Sequence, residues 1–215
     1  MFNKTFSKLS MHYDNLFDKY KGNVKSSQQS SNLTRERRLK VLVQQIKLSK
    51  NTSVLDFGCG TGYLLKLLIK KGFKGNYLGI DISEKVINFA KKNYKYKKAK
   101  FIKKNILKKK INKKFDYVII NGTFNNNTKN NWIWIQKVLK ILFNQTKKGL
   151  FFNNLSYYVD YKEKSLFYIK PEKIFQFCKL HLSRYVMIRN DYLIKNKSIP
   201  FEFSTFVYRK KYERL

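Results

Sequence analysis

The chain has 215 residues, of which 43% are hydrophobic and 16% aromatic, so it has enough apolar residues for a buried core and wholesale disorder is excluded. Its 47 lysines and arginines against 13 acidic residues give a formal net charge of +34. The sequence has no apolar run near the roughly 20 residues that span a bilayer, no signal-peptide pattern and only two cysteines, which predicts a cytoplasmic protein of a reducing compartment without a disulfide framework.

The predicted elements alternate between strands and helices. Residues 1–32 are a polar and aromatic N-terminal cap segment, and 33–215 form the main domain. The pattern predicts, in chain order, a helix (33–48), a strand (53–57), a helix (63–72), a strand (76–81), a helix (83–92), two strands (99–105, 115–121), a helix (130–146), a strand (148–155), a helix (171–180) and an aromatic hairpin (184–192, 200–210). This order indicates an α/β fold, a Rossmann-like doubly wound seven-stranded sheet that is mostly parallel with a C-terminal antiparallel hairpin strand. Such sheets bind ligands at the carboxyl ends of their strands.

The most informative stretch is VLDFGCGTG, at the exit of the first predicted strand. Gly58, Gly60 and Gly62 permit a tight turn and let the backbone lie against a ligand. Asp81 ends the next strand, where a carboxylate can accept hydrogen bonds from ribose hydroxyls. The spacing Gly-x-Gly-x-Gly, preceded by Asp56, differs from the dinucleotide fingerprint and favours a nucleoside without a pyrophosphate.

VLDFGCGTG followed by YLGIDIS resembles the first two motifs of class I S-adenosylmethionine-dependent methyltransferases, and the strand pattern extends this resemblance over about residues 34–210. The resemblance implies a methyltransferase with S-adenosyl-L-methionine as cofactor. It implies that the three glycines line the methionine and ribose portion, with Cys59 as a small buried residue of the same turn. It further implies that Asp56 orients the amino group, Asp81 binds the ribose and Ile82 packs on the adenine. The remaining cofactor-binding residues that it implies are Asn105, Ile106, Asn121 and Gly122.

The residues after the fourth strand, Asn-Gly-Thr-Phe, discriminate among methyltransferases. By the same resemblance they lie beside the transferred methyl group. The run lacks the prolines typical of enzymes that methylate amino groups of DNA bases, and neither cysteine fits the nucleophile of cytosine C5 enzymes, so both subclasses are disfavoured. The expected substrate-binding residues are Thr123, Phe124, Asn153, Ser156 and Tyr192.

The expected catalytic residues are Asn121, His12 and Tyr13. Methyl transfer from a sulfonium requires alignment and desolvation, and no general base is compulsory. His12 could be a base if the N-terminal segment folds over the site, and otherwise is a surface histidine. The Tyr13 ring could cradle a cationic acceptor or be structural. Two histidines without a carboxylate cluster predict no metal site.

A narrower resemblance concerns a group of small bacterial-type methyltransferases associated with small-molecule or glycan modification. It rests on FDYVIINGTFN, KGLFFNNLS, NDY and FEFSTFVY, and on an aromatic cap with Tyr13, Tyr20, Gln29, Arg35 and Arg38. It implies methylation of O or N on a small-molecule or sugar acceptor. Arg35 and Arg38 could reach the cofactor carboxylate or an anionic substrate, or be solvated helix charges.

Two alternatives remain open. An RNA methyltransferase would use the basic surface, since a field of this size attracts polyanions. However, only seven of the basic residues are arginine, the residue that grips phosphate with two parallel hydrogen bonds, so biased composition is the favoured explanation of the charge and nucleic acid the less favoured partner. The other alternative is a catalytically idle nucleoside-binding or scaffold protein on the same fold.

Overall fold

A computed structural model describes residues 3–109 and 111–210, with side chains from Phe6 onward. The chain divides into two compact units, Met1–Lys109 and Lys110–Leu215. The predicted cap segment (1–32) and main domain (33–215) therefore each include a few positions outside the described residues. Among the described residues, no helix combines the length and the apolar character needed to cross a bilayer.

The first unit contains a parallel sheet in the order β3-β2-β1. Its elements are α1 (Asn3–Tyr20), a short 3₁₀ helix (Val24–Ser27), α2 (Asn32–Val43), β1 (Ser53–Phe57), α3 (Tyr63–Lys70), β2 (Asn76–Asp81), α4 (Glu84–Asn93) and β3 (Ala99–Lys103). Phe57 of β1 is in register with Ile80 of β2. The residues that follow these two strands therefore leave the sheet at the same edge, which is where parallel sheets bind ligands.

Local sequence explains the helices of this unit. In α3 the leucines Leu64, Leu65, Leu67 and Leu68 are buried and the lysines are exposed, as expected for an amphipathic helix on a sheet. Helix α4 begins after Ser83, whose side chain accepts a hydrogen bond from the Val86 amide. Ser83 is therefore the N-cap of α4, as predicted.

The second unit contains the strand order β4-β5-β8-β7, with β6 paired to β5. Its elements are β4 (Phe115–Ile120), α5 (Asn131–Asn144), β5 (Thr146–Ser156), β6 (Tyr168–Ile169), α6 (Pro171–His181), β7 (Tyr185–Arg189) and β8 (Glu202–Tyr208). Strand β5 is parallel to β4 and β6, whereas β8 is antiparallel to both β5 and β7. All residues of β8 are buried, as expected for a strand with neighbours on both sides.

The predicted fold class is confirmed: the chain is mixed α/β, its strands are mostly parallel, and its C-terminal strands form the antiparallel hairpin. The described residues contain eight strands rather than seven, because the two residues Tyr168–Ile169 form β6 beside the end of β5. The sequence pattern assigned no element to the segment that forms α1. Its residues that contact the rest of the unit include Ser10 and Asp14. Its apolar side chains recur at helical spacing and form its less exposed side, a signal that the prediction overlooked: Phe6, Leu9, Tyr13, Phe17 and Tyr20.

Candidate functional site

The turn after β1 requires glycine at its alternate positions. Gly58, Gly60 and Gly62 have φ of 73°, 51° and 84°, a region that residues with a Cβ rarely adopt. A Cβ on Gly62 would lie 3.0 Å from ring atoms of both Phe101 and Tyr94. The turn is anchored to β2, because the Gly58 amide donates to the Ile80 carbonyl at 2.8 Å. The predicted glycine turn thus presents bare backbone at the ligand-binding edge of the sheet.

Asp81, at the end of β2, holds this turn through its carboxylate. Its Oδ2 accepts from the Gly60 amide at 2.9 Å and its Oδ1 accepts from the Ser83 amide at 3.0 Å. Burial raises the pKa of this carboxyl above its ordinary value, and the backbone donors oppose the rise. Each oxygen of an ionised carboxylate can accept a second hydrogen bond. The half-buried side chain therefore suits two adjacent hydroxyls, such as those of a ribose.

Asp56 lies deeper than Asp81. Its side chain is 3% exposed, and its Oδ2 accepts from the Tyr77 hydroxyl at 2.5 Å. Burial raises the pKa of Asp56 to about 7, with Asp81 adding to the rise and the Tyr77 hydrogen bond opposing it. Cys59 is also buried, and its thiol pKa lies well above the ordinary value for the same reason. The structure thus gives Asp56 a protein partner, Tyr77, that the sequence analysis did not identify.

Helix α1 packs across the chain that follows β2. The Ser10 hydroxyl donates to the Ile82 carbonyl at 3.0 Å, and the Ser83 hydroxyl donates to Asp14. One turn further on, the Phe17 ring meets Phe89 of α4 edge to face, with centroids 5.6 Å apart. These hydrogen bonds and this ring contact therefore hold helix α1 beside Ile82, the predicted adenine contact.

The two catalytic candidates of α1 occupy different environments. His12 is exposed and Tyr13 is half-buried, and their rings form an edge contact with centroids 5.4 Å apart. At the end of β3, the Asn105 side chain accepts from the Leu107 amide at 3.0 Å, and Ile106 is 2% exposed. Asn105 therefore shapes its own turn, and its contact with adenine stays a prediction.

In the second unit, Asn153 of β5 is the centre of a buried hydrogen-bond network. Its Nδ2 donates to Asn121 Oδ1 at 3.0 Å and to Glu202 Oε1 at 3.1 Å. Its Oδ1 accepts from the Gly122 amide at 2.7 Å. Asn153 and Glu202 are each 1% exposed. This amide therefore fixes the residues after β4, Asn121 and Gly122, to the first residue of β8.

The expected substrate-binding residues of this unit do not all lie together. The Tyr192 hydroxyl is 2.7 Å from Ser204 Oγ, and Ser204 is the register partner of Asn153. Ser156 is buried and, by the alternation of strand residues, faces away from Asn153. Phe124 is fully buried against the Trp134 ring, with centroids 5.3 Å apart, so it contributes packing. Thr123 is half-buried.

Sequence reasoning missed the side chains that support these sites. Glu202 had a visible signal, since it is an acid within the aromatic strand FEFSTFVY, whereas no spacing rule connects Tyr77 to Asp56 or Ser10 to Ile82. In the part of the chain that the structure describes, His, Cys, Asp and Glu side chains do not gather in groups of three or more that could hold a metal ion.

Comparisons with known proteins agree with this geometry. A family described as "Methyltransferase domain" matches residues 48–174. A putative methyltransferase of Mycobacterium tuberculosis is 33% identical over 146 residues, which cover 65% of this chain and 86% of that protein.

Two solved structures share the fold. Magnesium protoporphyrin IX methyltransferase from Synechocystis, solved with bound S-adenosylhomocysteine, has a TM-score of 0.73 at 12% identity and covers 95% of this chain and 99% of its own. The plantazolicin methyltransferase BpumL has a TM-score of 0.65 at 17% identity and covers 97% and 99%. Together with the family match, these findings show that the chain belongs to the methyltransferase-domain family and is an S-adenosylmethionine-dependent enzyme of class I fold.

Proposed function

We propose that this chain transfers a methyl group to an oxygen or nitrogen atom of a small-molecule or sugar acceptor. The observation that supports a small acceptor is the position of α1. Its side chains are tied to Ile82 and Ser83 at successive turns of the helix, through Ser10 and Asp14. A segment fastened beside the predicted adenosine site favours an enclosed reaction over one on a large, exposed polymer.

The first unit has the residues to hold the cofactor. When bound, S-adenosylmethionine supplies a methyl group on a positively charged sulfur that needs no further activation. The Asp81 carboxylate accepts hydrogen bonds from the ribose hydroxyls, using the oxygen lone pairs that the Gly60 and Ser83 amides do not occupy. The glycine turn accommodates the methionine portion because no Cβ projects from Gly58, Gly60 or Gly62. Ile82 contributes apolar contact to the adenine.

In the second unit, the network around Asn153 orients the residues expected beside the reacting atoms. Asn121 offers its side-chain amide to the acceptor, while its own Oδ1 is held by Asn153 Nδ2. Glu202 holds the same Nδ2 from the other side, so Asn153 keeps one orientation. Polar groups that are already held in one orientation align an acceptor without a further loss of side-chain entropy when it binds. His12 stays a predicted base for acceptors that must lose a proton.

The RNA alternative predicts basic residues concentrated around the strand ends. Some exposed lysines, such as Lys103, Lys108 and Lys109, do lie at or just after the end of β3, but lysines are also exposed on α1, α2, α3, α4, α5 and α6 and at the start of β5. Seven structural elements with exposed lysine favour a compositional origin of the charge. A nucleic-acid binding surface needs its lysines clustered, because affinity for RNA rises with the number of phosphates that one surface neutralises.

A transfer assay with S-adenosylmethionine labelled in its methyl group tests the proposal. The full chain is incubated with a cell extract separated into a small-molecule fraction and an RNA fraction. We expect label in the small-molecule fraction, and none with Asp81→Ala at the same protein concentration. Label confined to RNA would contradict the proposal in favour of the RNA alternative. Binding of S-adenosylhomocysteine without label in any fraction would favour the idle alternative.

A further inference from the structure

A cavity lies in the first unit, along helices α3 and α4. It is an open groove of about 660 Å³, within the range of about 300–1,000 Å³ typical of small-molecule sites. Helices α3 and α4 form its walls, and the start of α2 and the residues after α1 close one end. The residues that line it are Gly22, Asn32, Arg35, Thr61, Tyr63, Lys66, Ile69, Lys70, Phe89, Asn93 and Tyr94. Gly58, Gly60, Asp81 and Ile82 are not among them, whereas Thr61 belongs to the glycine turn and Tyr94 packs against Gly62. The groove therefore adjoins the glycine turn but does not include the residues assigned to the ribose and adenine.

Arg35 gives this groove an unfilled hydrogen-bond donor. Its guanidinium stacks on the Tyr63 ring, with Cζ 3.7 Å from the centroid, and its Nη2 donates to Asn32 Oδ1 at 2.7 Å. Its Nε is buried and has no hydrogen-bond acceptor within the described residues. A buried donor left without an acceptor costs about 1–3 kcal/mol. An anion bound beside the guanidinium would supply that acceptor after a shift of the Arg35 side chain.

The other lining residues extend the same chemistry. Lys66 and Lys70 are exposed on the groove side of α3, and the lining contains no acidic residue. The nearest carboxylate on α2, Glu36, is already engaged, because it accepts from the Tyr63 hydroxyl at 3.2 Å and pairs with Lys40 at 2.9 Å. Three cations thus face one opening without a counter-charge among the groove residues.

The opposite wall is aromatic and polar. Phe89 and Tyr94 of the α4 side lie half-buried in the lining, and Asn32 and Asn93 add side-chain amides. Phe89 also packs against Phe17, and Tyr94 against Phe101, so their remaining exposed surface is what a ligand would contact. Aromatic rings stack on planar heterocycles. A ligand that combines anionic oxygens with a flat ring therefore matches both walls.

We propose that this groove binds a nucleotide, with its phosphates on Arg35, Lys66 and Lys70 and its base against Phe89 and Tyr94. The site goes beyond methyl transfer and does not depend on it, because its residues are distinct from Asp81 and the glycines that carry the cofactor. A small nucleotide is favoured over RNA because the volume of the groove lies in the range of small-molecule sites.

Isothermal titration with ADP tests this site. The protein is first saturated with S-adenosylhomocysteine, so that ADP cannot occupy the adenosine site. We expect one ADP bound per chain, and inorganic pyrophosphate to bind more weakly because it lacks a ring. Lys66→Ala/Lys70→Ala should raise the Kd for ADP about 10-fold or more, as loss of charged hydrogen bonds predicts. The matched control is Lys91→Ala/Lys92→Ala, which removes the same charge from an exposed part of α4 and should change the Kd less than twofold.

Three results would overturn the inference. Loss of ADP binding on saturation with S-adenosylhomocysteine would place the nucleotide in the cofactor site. An equal effect of the two double variants would mean that ADP responds only to net charge. Binding of a 12-nucleotide single-stranded RNA that depends on Lys66 and Lys70, without binding of ADP, would identify the groove as an RNA contact. None of these results bears on methyl transfer to a small acceptor, which the labelling assay tests separately.

Discussion

Replacement of Asp81 tests the assignment of the cofactor site. The Asp81 carboxylate has two backbone donors, at 2.9 Å and 3.0 Å, and we assign its remaining lone pairs to the ribose hydroxyls. Asp81→Ala removes every acceptor, so the charged hydrogen bonds to ribose are lost. That loss should weaken binding by about 1–3 kcal/mol, which corresponds to a rise in Kd of about 5- to 150-fold. Asp81→Asn keeps one oxygen without the charge and should give an intermediate Kd.

The measurement is isothermal titration with S-adenosylhomocysteine, combined with a thermal melt of each variant. The melt separates the two roles of Asp81, because both substitutions also weaken the attachment of Gly60 and Ser83. Glu84→Gln is the control: this neighbouring acid is exposed and pairs with Lys103 at the surface. It loses the same charge and should leave the Kd unchanged. A folded Asp81→Ala protein with the Kd of the unmodified chain would refute the ribose assignment.

Three further predictions follow from the buried groups. Because burial raises the Asp56 pKa to about 7 from 3.8, the folded chain retains a proton there that the unfolded chain releases, so the contribution of Asp56 to the free energy of unfolding should fall as pH rises from about 4 to about 7 and level off above that. Asp56→Asn should remove this contribution, worth about 4 kcal/mol at most, and leave the contributions of Asp81 and the other acids. Urea titrations of both proteins across that pH range measure the difference, and identical pH dependence would contradict the assignment. Gly62→Ala should cost about 1–3 kcal/mol of stability, because its φ is 84° and its Cβ would crowd two rings. Gly72→Ala, with φ of 82° and open space around its Cβ, should cost less, and equal losses would mean that crowding is unimportant. Asn153→Ala should lower kcat with little change in the KM for S-adenosylmethionine. The control Asn154→Ala removes a buried amide without hydrogen-bond partners in the described chain and should leave kcat nearly unchanged. Similar kcat values in both variants would contradict a positioning role for Asn153.

The parts of the fold that the sequence predicted depend on local patterns. Short apolar runs predict β1, β2 and β4 because a buried parallel strand has neighbours on both faces. The glycine turn and Asp81 were predictable because each adjoins a strand end, and strand ends of a parallel sheet meet at one edge.

The supporting contacts were not predictable because they join distant parts of the chain. Ser10 and Ile82, or Asn153 and Glu202, are brought together only by folding. Helix α1 is a different case, because its aromatic and leucine side chains recur at helical spacing and could have been recognised. Glu202 is informative in retrospect, since an acid in a buried strand requires hydrogen-bond donors, but the sequence alone does not name Asn153 as that donor.

The position of β8 has a consequence for biosynthesis. Although β8 (Glu202–Tyr208) comes last among the described elements, it lies between β5 and β7. During translation, β5 and β7 therefore emerge from the ribosome with a gap between them, and each exposes an unpaired edge. The strand pairing of the second unit can be completed only after residue 208 has left the exit tunnel. A premature stop before Glu202 would thus remove a central strand, and we expect such a product to be a target for chaperones and proteolysis.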